Sequence, residues 1–338
     1  MAVMINAQTK RIGLALSGGG FRAAAFHLGV LKKLYTLHLL DKIDLLSCVS
    51  GGSIAGGVMV THRDPAEALL ALENYLATRS VAVASVIGGL LDPFESRLDK
   101  LAESYDRDLF NGRTLSTLRD GPRIYFNSTN LATGNLFFFV AGGGHPEEMG
   151  DHEFGVADAS GFPLCKAVAA SSAFPPVFPP LRLDSDIYPP AGRSEYVTLT
   201  DGGVYDNMGV NPLLLARNQL DYLIISDGGK PFAVEDRPTE HGLVVLRESL
   251  SIMMEQIRGL EFDRIEYRHK AGKGPTPLWF SIDSTEGEAT PGDAAFASAI
   301  RTDLKLLSPA QLNVLARHGA SLLEARLTRY SPELLQAH

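Results

Sequence analysis

Short apolar runs alternate with longer helical segments along the first part of the chain. Residues 12–16 and 45–49 are almost entirely apolar or small, residues 21–40 form a helical stretch between them, and another helix begins at Ser53. Strands without regular polar alternation are typical of a sheet that is covered on both faces. The pattern therefore predicts a three-layer α/β/α fold with a mainly parallel central sheet.

The same patterns predict the elements that follow. They are a helix at 65–76, a hairpin of strands 123–131 and 135–140, a buried strand at 222–226, a helix at 242–268 and a strand at 278–282. Residues 142–149 and 175–194 have the composition of loops. The last helix has a clear start, because Ser308 precedes Pro309 and Gln311 follows three residues after the serine.

We expect a single domain over residues 10–330, since no stretch is long or polar enough to be a linker and no repeat is visible. Its motif-bearing part is residues 10–230, and residues 240–330 form a mainly helical C-terminal part. At 338 residues with 45% hydrophobic content, the chain is large enough to bury a sizeable core.

Composition narrows the function classes. The net charge is −8 and no run of Lys or Arg occurs, which argues against a nucleic-acid partner. The two cysteines, Cys48 and Cys165, predict buried thiols without a disulfide framework, which fits a reducing compartment. Neither a signal peptide nor an apolar run of membrane-spanning length is apparent, so we expect a cytoplasmic protein that meets a membrane only peripherally.

The first candidate for chemistry is Ser53, which follows the apolar run 45–49. A nucleophile elbow is a strained strand-to-helix turn that needs small residues two before and two after the serine. Gly51 fills the first position and Ala55 the second, so the pattern is G-x-S-x-A rather than G-x-S-x-G. A tight turn without chemistry is the alternative interpretation.

A run of three glycines, Gly18, Gly19 and Gly20, lies between the strand 12–16 and the first helix, and Arg22 follows it. Glycines let a backbone approach a ligand, and amides at a helix start attract anions. A phosphate loop would need Lys-Ser/Thr after the glycines, and a dinucleotide site would need the spacing G-x-G-x-x-G; neither is present. An oxyanion hole remains compatible with the run.

The tripeptide Asp-Gly-Gly occurs twice at the end of an apolar strand, at Asp201 and at Asp227. The aspartate in such a turn is able to reach towards a neighbouring strand end, although Asp-Gly-Gly alone is an ordinary turn. The tripeptide by itself does not distinguish the two positions.

With these three motifs in this order, the chain resembles the patatin-like phospholipases, lipid acyl hydrolases that use a Ser-Asp dyad. The resemblance covers roughly residues 10–230. It implies Ser53 as nucleophile and Asp201 as its base, because residues 204–207 match the Val/Leu-x-x-Asn that follows the family's aspartate, whereas Lys-Pro-Phe follows Asp227. The resemblance also implies an oxyanion hole formed by Gly18, Gly19, Gly20 and Arg22. The serine- and proline-rich residues 169–180 resemble the family's segment between serine and aspartate.

This resemblance predicts a phospholipase A or lysophospholipase acting on phospholipid or another fatty-acyl ester. No cofactor or metal is expected, because no metal-ligand motif is visible. Two alternatives remain: an inactive lipid-binding protein, which Ala55 favours, and an acyltransferase that uses the same acyl-enzyme. His27 is interpreted as a core histidine, although nine histidines leave a Ser-His-Asp triad open.

Residues 81–94 suggest a cover over the site. They carry many apolar residues, Gly88-Gly89 is a flexible break in them and Pro93 ends them. A mobile cover that lies at a lipid interface and a buried helix that packs on the sheet both fit this pattern.

Overall fold

The structure is a computed structural model that describes residues 3–5, 8–80, 97–118, 121–190, 194–229, 231–232 and 240–336. The cover suggested for residues 81–94 lies outside the described residues. Of the described helices, none is both long and apolar enough to cross a membrane.

Strands and helices alternate in the first part of the chain and helices dominate its end. The strands are β1 (Val3–Ile5), β2 (Gln8–Lys10), β3 (Ile12–Leu16), β4 (Ile43–Val49), β5 (Arg123–Asn130), β6 (Asn135–Ala141), β7 (Glu148–Asp151), β8 (Gly155–Asp158), β9 (Leu181–Asp184), β10 (Tyr196–Asp201), β11 (Tyr222–Asp227) and β12 (Thr276–Ser281). The α-helices are α1 (Gly20–Thr36), α2 (Gly51–Thr61), α3 (Pro65–Thr78), α4 (Arg97–Tyr105), α5 (Leu164–Ser171), α6 (Gly203–Asp206), α7 (Gly242–Lys270), α8 (Asp293–Ala299), α9 (Pro309–Tyr330) and α10 (Pro332–Leu335).

The central sheet is mixed. Its main path runs β12-β11-β3-β4-β5-β6-β7-β8, and β10 pairs with both β5 and β9. The neighbours from β12 to β5 are parallel, whereas β6 to β10 pair antiparallel. The predicted parallel arrangement is therefore found in the half of the sheet that carries the sequence motifs, and the other half is antiparallel.

Helices cover both faces of the parallel strands, which confirms the three-layer α/β architecture. Along β3, Leu14 and Leu16 pack into a large core with α1, α2, α3 and α9, while Ala15 between them packs into a smaller core on the opposite face. Ile265 of α7 belongs to that smaller core. Burial on both faces explains why these strands read as continuous apolar runs.

Several predicted elements are confirmed, among them β3, the β5–β6 hairpin and the start of the last helix. Ser308 caps α9 by accepting from the Gln311 amide at 3.2 Å, and the Gln311 side chain accepts from the Ser308 amide at 2.9 Å. The segment 175–194 differs from the prediction, because β9 forms within it and pairs with β10. Only four residues long, β9 buries alternate side chains, too short a pattern to distinguish from a loop.

Candidate active site

The strained turn between β4 and α2 lies at Ser50, three residues before the predicted position. β4 ends at Val49 and α2 begins at Gly51, and Ser50 between them has φ 52° and ψ −114°. This is an unfavourable backbone conformation for a residue with a side chain, and it is typical of a serine held at a strand-to-helix turn. The prediction that the turn lies at Ser53 is wrong.

Ser53 instead belongs to the first turn of α2. Its amide donates to the Ser50 carbonyl at 2.9 Å, and its hydroxyl is 2.8 Å from the Ser171 hydroxyl. Ser53 is fully buried, whereas Ser50 keeps 9% of its surface exposed. Ala55, also buried, lies further along the helix and does not take part in the turn. An external substrate therefore meets Ser50 before it could meet Ser53.

Two glycines after Ser50 allow the turn to pack against the glycine-rich loop. A Cβ on Gly51 would lie 2.1 Å from the Gly20 carbonyl oxygen, and a Cβ on Gly52 would lie 2.1 Å from that of Leu16. No side chain fits at either position. Relative to Ser50, Gly52 occupies the second glycine position of G-x-S-x-G, and Cys48 occupies the first.

The glycine-rich loop lies beside Ser50. A Cβ on Gly18 would lie 3.3 Å from Ser50 Cβ, so a side chain there would crowd the serine. The Gly18 amide donates to the Asn207 carbonyl at 3.0 Å and is not available to a ligand. The amides of Gly19 and Gly20 have no acceptor within the described part of the chain. Both residues have positive φ, 141° and 63°. The hydrogen-bonding capacity expected of this loop therefore resides in Gly19 and Gly20.

Arg22 holds the surrounding loops and does not face an open site. It is fully buried, and its guanidinium donates to the Gly228 carbonyl at 3.0 Å and to the Ile300 carbonyl at 3.0 Å. Burial lowers the Arg22 pKa to about 10, and the charges of Asp227 and Asp303 oppose that shift. The side chain remains a cation at neutral pH, bound to backbone oxygens.

Asp201 ends β10 as a buried carboxyl group, and no cationic partner for it is found among the residues that the structure describes. Its Oδ1 accepts from the Gly203 amide at 2.7 Å, while Oδ2 makes no regular hydrogen bond within the described residues. Burial raises the Asp201 pKa to about 7, and the Gly203 amide and the Ser50 hydroxyl act in the opposite direction. Because the Ser50 side chain affects this pKa, the two groups are close enough to interact.

Ser171, at the end of α5, joins the two halves of the site. Its hydroxyl accepts from the Ser50 amide at 3.0 Å and contacts the Ser53 hydroxyl, and its carbonyl accepts from the Gly202 amide at 3.4 Å. The serine turn and the Asp201 strand end are thus bound to one residue.

Asp227, in the second Asp-Gly-Gly, is an ion-paired group. Its Oδ2 accepts from Arg258 Nε at 2.6 Å, and its Oδ1 accepts from the Gly229 amide at 3.0 Å. The carboxyl group is fully buried, so the pair with Arg258 balances its charge where water cannot.

His27 is a buried core residue, as expected. Its Nε2 is 2.9 Å from the Ser17 carbonyl and its Nδ1 is 2.8 Å from the Ser226 hydroxyl, so neither ring nitrogen is bonded to Ser50 or Asp201. Burial lowers the His27 pKa to about 4. The neutral ring donates to the same Ser17 carbonyl that accepts from the Gly52 amide, and it thereby supports the turn after Ser50.

Sequence reasoning missed Ser50 and Ser171. Ser50 had a signal, because it directly follows the apolar run of β4 and has a glycine two residues later. Ser171 had none beyond its place in a serine- and proline-rich segment. No group of three or more His, Cys, Asp or Glu side chains among the described residues is arranged to hold a metal ion.

Comparisons with known proteins agree with this architecture. A family model described as patatin-like phospholipase matches residues 14–214, more than half of the chain. Human GIVD cytosolic phospholipase A2 has a similar structure, with a TM-score of 0.61 and 13% identity over 97% of this chain and 60% of that one.

A complex of that human enzyme with methyl gamma-linolenyl fluorophosphonate inhibitor and terbium chloride has a TM-score of 0.58 and 14% identity over 96% of this chain and 59% of that one. VipD from Legionella pneumophila is less similar, with a TM-score of 0.46 and 12% identity over 95% of this chain and 67% of that one. No curated protein sequence matches significantly. The chain spans about 60% of the length of the human structures, and at these identities the likeness concerns the fold.

Proposed function

This chain belongs to the patatin-like phospholipase family, a family of lipid hydrolases, and we propose that it cleaves fatty-acyl esters with a Ser50–Asp201 dyad. Phospholipids and lysophospholipids are the proposed substrates. The observation that carries the proposal is the pairing of a strained, partly exposed serine with a buried carboxyl group whose pKa is about 7. Ser53 is not favoured as the nucleophile, because its side chain is fully buried and its hydroxyl is hydrogen-bonded to that of Ser171.

The raised pKa of Asp201 suits it to act as a base. A serine hydroxyl is a weak nucleophile unless a neighbouring group accepts its proton. An aspartate with an ordinary pKa is a poor base at neutral pH, while general bases work best with a pKa near the working pH. Burial raises the pKa of Asp201 to about 7, so this carboxylate is suited to accept the proton without a histidine.

In the proposed reaction, Asp201 Oδ2 accepts the proton of Ser50 Oγ while Oγ forms a bond to the acyl carbon. The substrate carbonyl becomes an oxyanion, which the amides of Gly19 and Gly20 stabilise by about 3 kcal/mol per donor. The alcohol leaves with the proton from Asp201, and the acyl group remains on Ser50. The same carboxylate then accepts a proton from water while the water oxygen attacks the acyl carbon. The bond between that carbon and Ser50 Oγ breaks, Asp201 returns the proton to Oγ, and the fatty acid is released.

The new position of the turn removes the feature that favoured an inactive relative. Ala55 appeared to replace the second glycine of the elbow, but Gly52 is the residue two after Ser50. Cys48 replaces the first glycine, and the fold accommodates it, since its Sγ would lie 2.5 Å from a Cβ on Gly56. The glycine at 56 therefore provides the space that the cysteine needs.

The proposal is tested with Ser50→Ala and Ser53→Ala as a matched pair. A fluorescent fluorophosphonate, which reacts with activated serines, should label the wild type and Ser53→Ala but not Ser50→Ala. Fatty-acid release from mixed phospholipids, measured by mass spectrometry, should follow the labelling. Labelling of Ser50→Ala, with loss in Ser53→Ala, would restore Ser53 as the nucleophile.

A further inference from the structure

The outward side of α7 carries an exposed apolar ridge. Leu246, Met253, Leu260 and Tyr267 are spaced seven residues apart, and each is between 60% and 75% exposed. Residues seven apart lie on nearly the same line along a helix, because seven residues make about two turns. Ile252 is also exposed beside this line. These side chains lie along one side of the helix, and we call them the α7 ridge.

From Leu246 to Leu260, the exposed side chains that the structure describes on the ridge carry no charge. All exposed residues that the structure describes between positions 244 and 260 are uncharged, although 21% of the whole chain is charged: Val244, Val245, Leu246, Ser249, Ile252, Met253, Gln256, Gly259 and Leu260. From Leu246 to Leu260 the ridge is about 21 Å long. The first exposed charged residue described beyond Leu260 is Asp263, which lies between Leu260 and Tyr267. An uncharged apolar strip of this length is suited to contact with a nonpolar surface.

The opposite side of α7 packs against both Asp-Gly-Gly corners. Met254 Cε would lie 3.2 Å from a Cβ on Gly203, two residues after Asp201. Arg258, one turn further, forms the ion pair with Asp227. The ridge therefore lies one helix diameter, about 10 Å, from the residues that border the candidate active site.

We propose that the α7 ridge is a docking surface for the uncharged, apolar region of a lipid bilayer. This inference rests on the proposed function in one respect, namely that the substrate is a lipid held in such a bilayer. The net charge of −8 does not attract anionic headgroups, so contact with lipid depends on burial of apolar side chains. The ridge provides those side chains beside the site where the ester is cleaved.

The alternative occupant is a helix of a second copy of the chain. Paired helices carry charged residues beside the apolar line, which set register and partner choice. Between Val245 and Leu260, the exposed positions that the structure describes beside the line are Val245, Ser249, Ile252, Gln256 and Gly259, none of which is charged. Charged residues are exposed beside the line further along, at Asp263 and Arg264. A lipid surface makes no demand on register, so it fits these flanks better than a second helix does.

The test uses the full chain with Ser50→Ala, so that binding is measured without hydrolysis. Flotation with phosphatidylcholine vesicles is compared between this protein and a variant that adds Leu246→Glu, Met253→Glu and Leu260→Glu. The control is Leu70→Glu, since Leu70 on α3 is 57% exposed. We expect the triple variant to bind the vesicles at least about tenfold more weakly than its parent. The control should bind as tightly as the parent. Raising salt from about 0.1 to about 0.5 M should not weaken binding, because no charge is involved.

Equal flotation of the triple variant and its parent would overturn the proposal, as would absence of binding in the parent or binding that needs anionic lipid. A parent that is dimeric by analytical ultracentrifugation, with a monomeric triple variant and unchanged flotation, would assign the ridge to a second copy. If the triple variant melts at a lower temperature, Met253→Gln with Leu260→Gln repeats the comparison without new charge.

A soluble short-chain ester separates this proposal from the proposed function. With Ser50 intact, the triple variant should hydrolyse that ester as fast as the wild type. If the wild type does not cleave the ester while flotation still depends on the ridge, the proposed function fails and the docking surface stands.

Discussion

Asp201 and Asp227 end two strands of the same sheet in the same tripeptide, Asp-Gly-Gly, and both carboxyl groups are buried. In both corners Oδ1 accepts from the amide two residues later, at 2.7 Å for Asp201 and 3.0 Å for Asp227. The second oxygen differs. Asp227 Oδ2 accepts from Arg258 at 2.6 Å, whereas Asp201 Oδ2 has no regular hydrogen bond among the described residues.

The difference separates an ion-paired carboxylate from the carboxyl group that we propose as the base. The buried Asp227 carboxylate is paired with the Arg258 guanidinium, which balances its charge inside the protein. A buried carboxyl group without such a cation holds its proton more tightly, and the pKa of Asp201 rises to about 7. The tripeptide is the same in both corners, so the difference in hydrogen bonding comes from the neighbours of the second oxygen.

The largest effect is expected on kcat when the carboxylate of each corner is replaced by an amide, because the two replacements should differ strongly. Asp201→Asn should lower kcat for a soluble ester by at least about 10³-fold, because the amide cannot accept the Ser50 proton. Asp227→Asn should keep kcat within about fivefold of the wild type, since that carboxylate only balances Arg258. Similar losses in both variants would mean that the two corners do not differ in function.

Removing the cation of the second corner should affect stability. Arg258→Leu leaves the Asp227 carboxylate buried without its partner, which costs about 3–5 kcal/mol of unfolding free energy. Urea denaturation at pH 7 measures the loss. The double variant Arg258→Leu with Asp227→Asn should recover most of it. If the single variant unfolds at the wild-type urea concentration, the ion pair does not stabilise the corner.

A stability effect of the opposite sign is expected at Asp201. Because its pKa is raised in the folded state, the stability linked to its proton is present below about pH 4 and is lost as the pH rises through about 7. Asp201→Asn removes this loss, so it should stabilise the protein at pH 8 by up to about 4 kcal/mol. Melting temperatures measured from pH 4 to pH 8 check the sign. Destabilisation at pH 8 would contradict a raised pKa.

The smallest effect is expected at Ser171, which accepts hydrogen bonds from the Ser50 amide and from the Gly202 amide beside Asp201. Ser171→Ala leaves the buried Ser50 amide without its acceptor, which costs about 1–3 kcal/mol. We expect about a tenfold fall in kcat with little change in KM, because Ser50 loses its position and the substrate pocket does not. Ser53→Ala removes only the hydroxyl contact and should stay within about threefold. A larger loss in Ser53→Ala than in Ser171→Ala would contradict this positioning role.

The parts of the fold that depend on local patterns were predictable. The buried runs of β3 and β4 are apolar because both faces of the sheet are covered. The start of α9 follows from a capping pattern of four residues. The antiparallel half of the sheet was not predictable to the same degree, since strands of four residues such as β7 and β9 carry too few positions for a periodic signal.

The sequence by itself determined the α/β class, the order of the three motifs and the choice of Asp201 as a candidate. Each depends on residues that are close along the chain. Tertiary structure decided that the strained turn is at Ser50 and that the Gly18 amide is occupied by Asn207. It also decided that Asp227 has a cation, whereas no described residue provides one for Asp201. The physical reason is that strain, amide pairing and pKa depend on neighbours distant in sequence. Ser171 is 121 residues from Ser50 in the sequence, and Arg258 is 31 residues from Asp227.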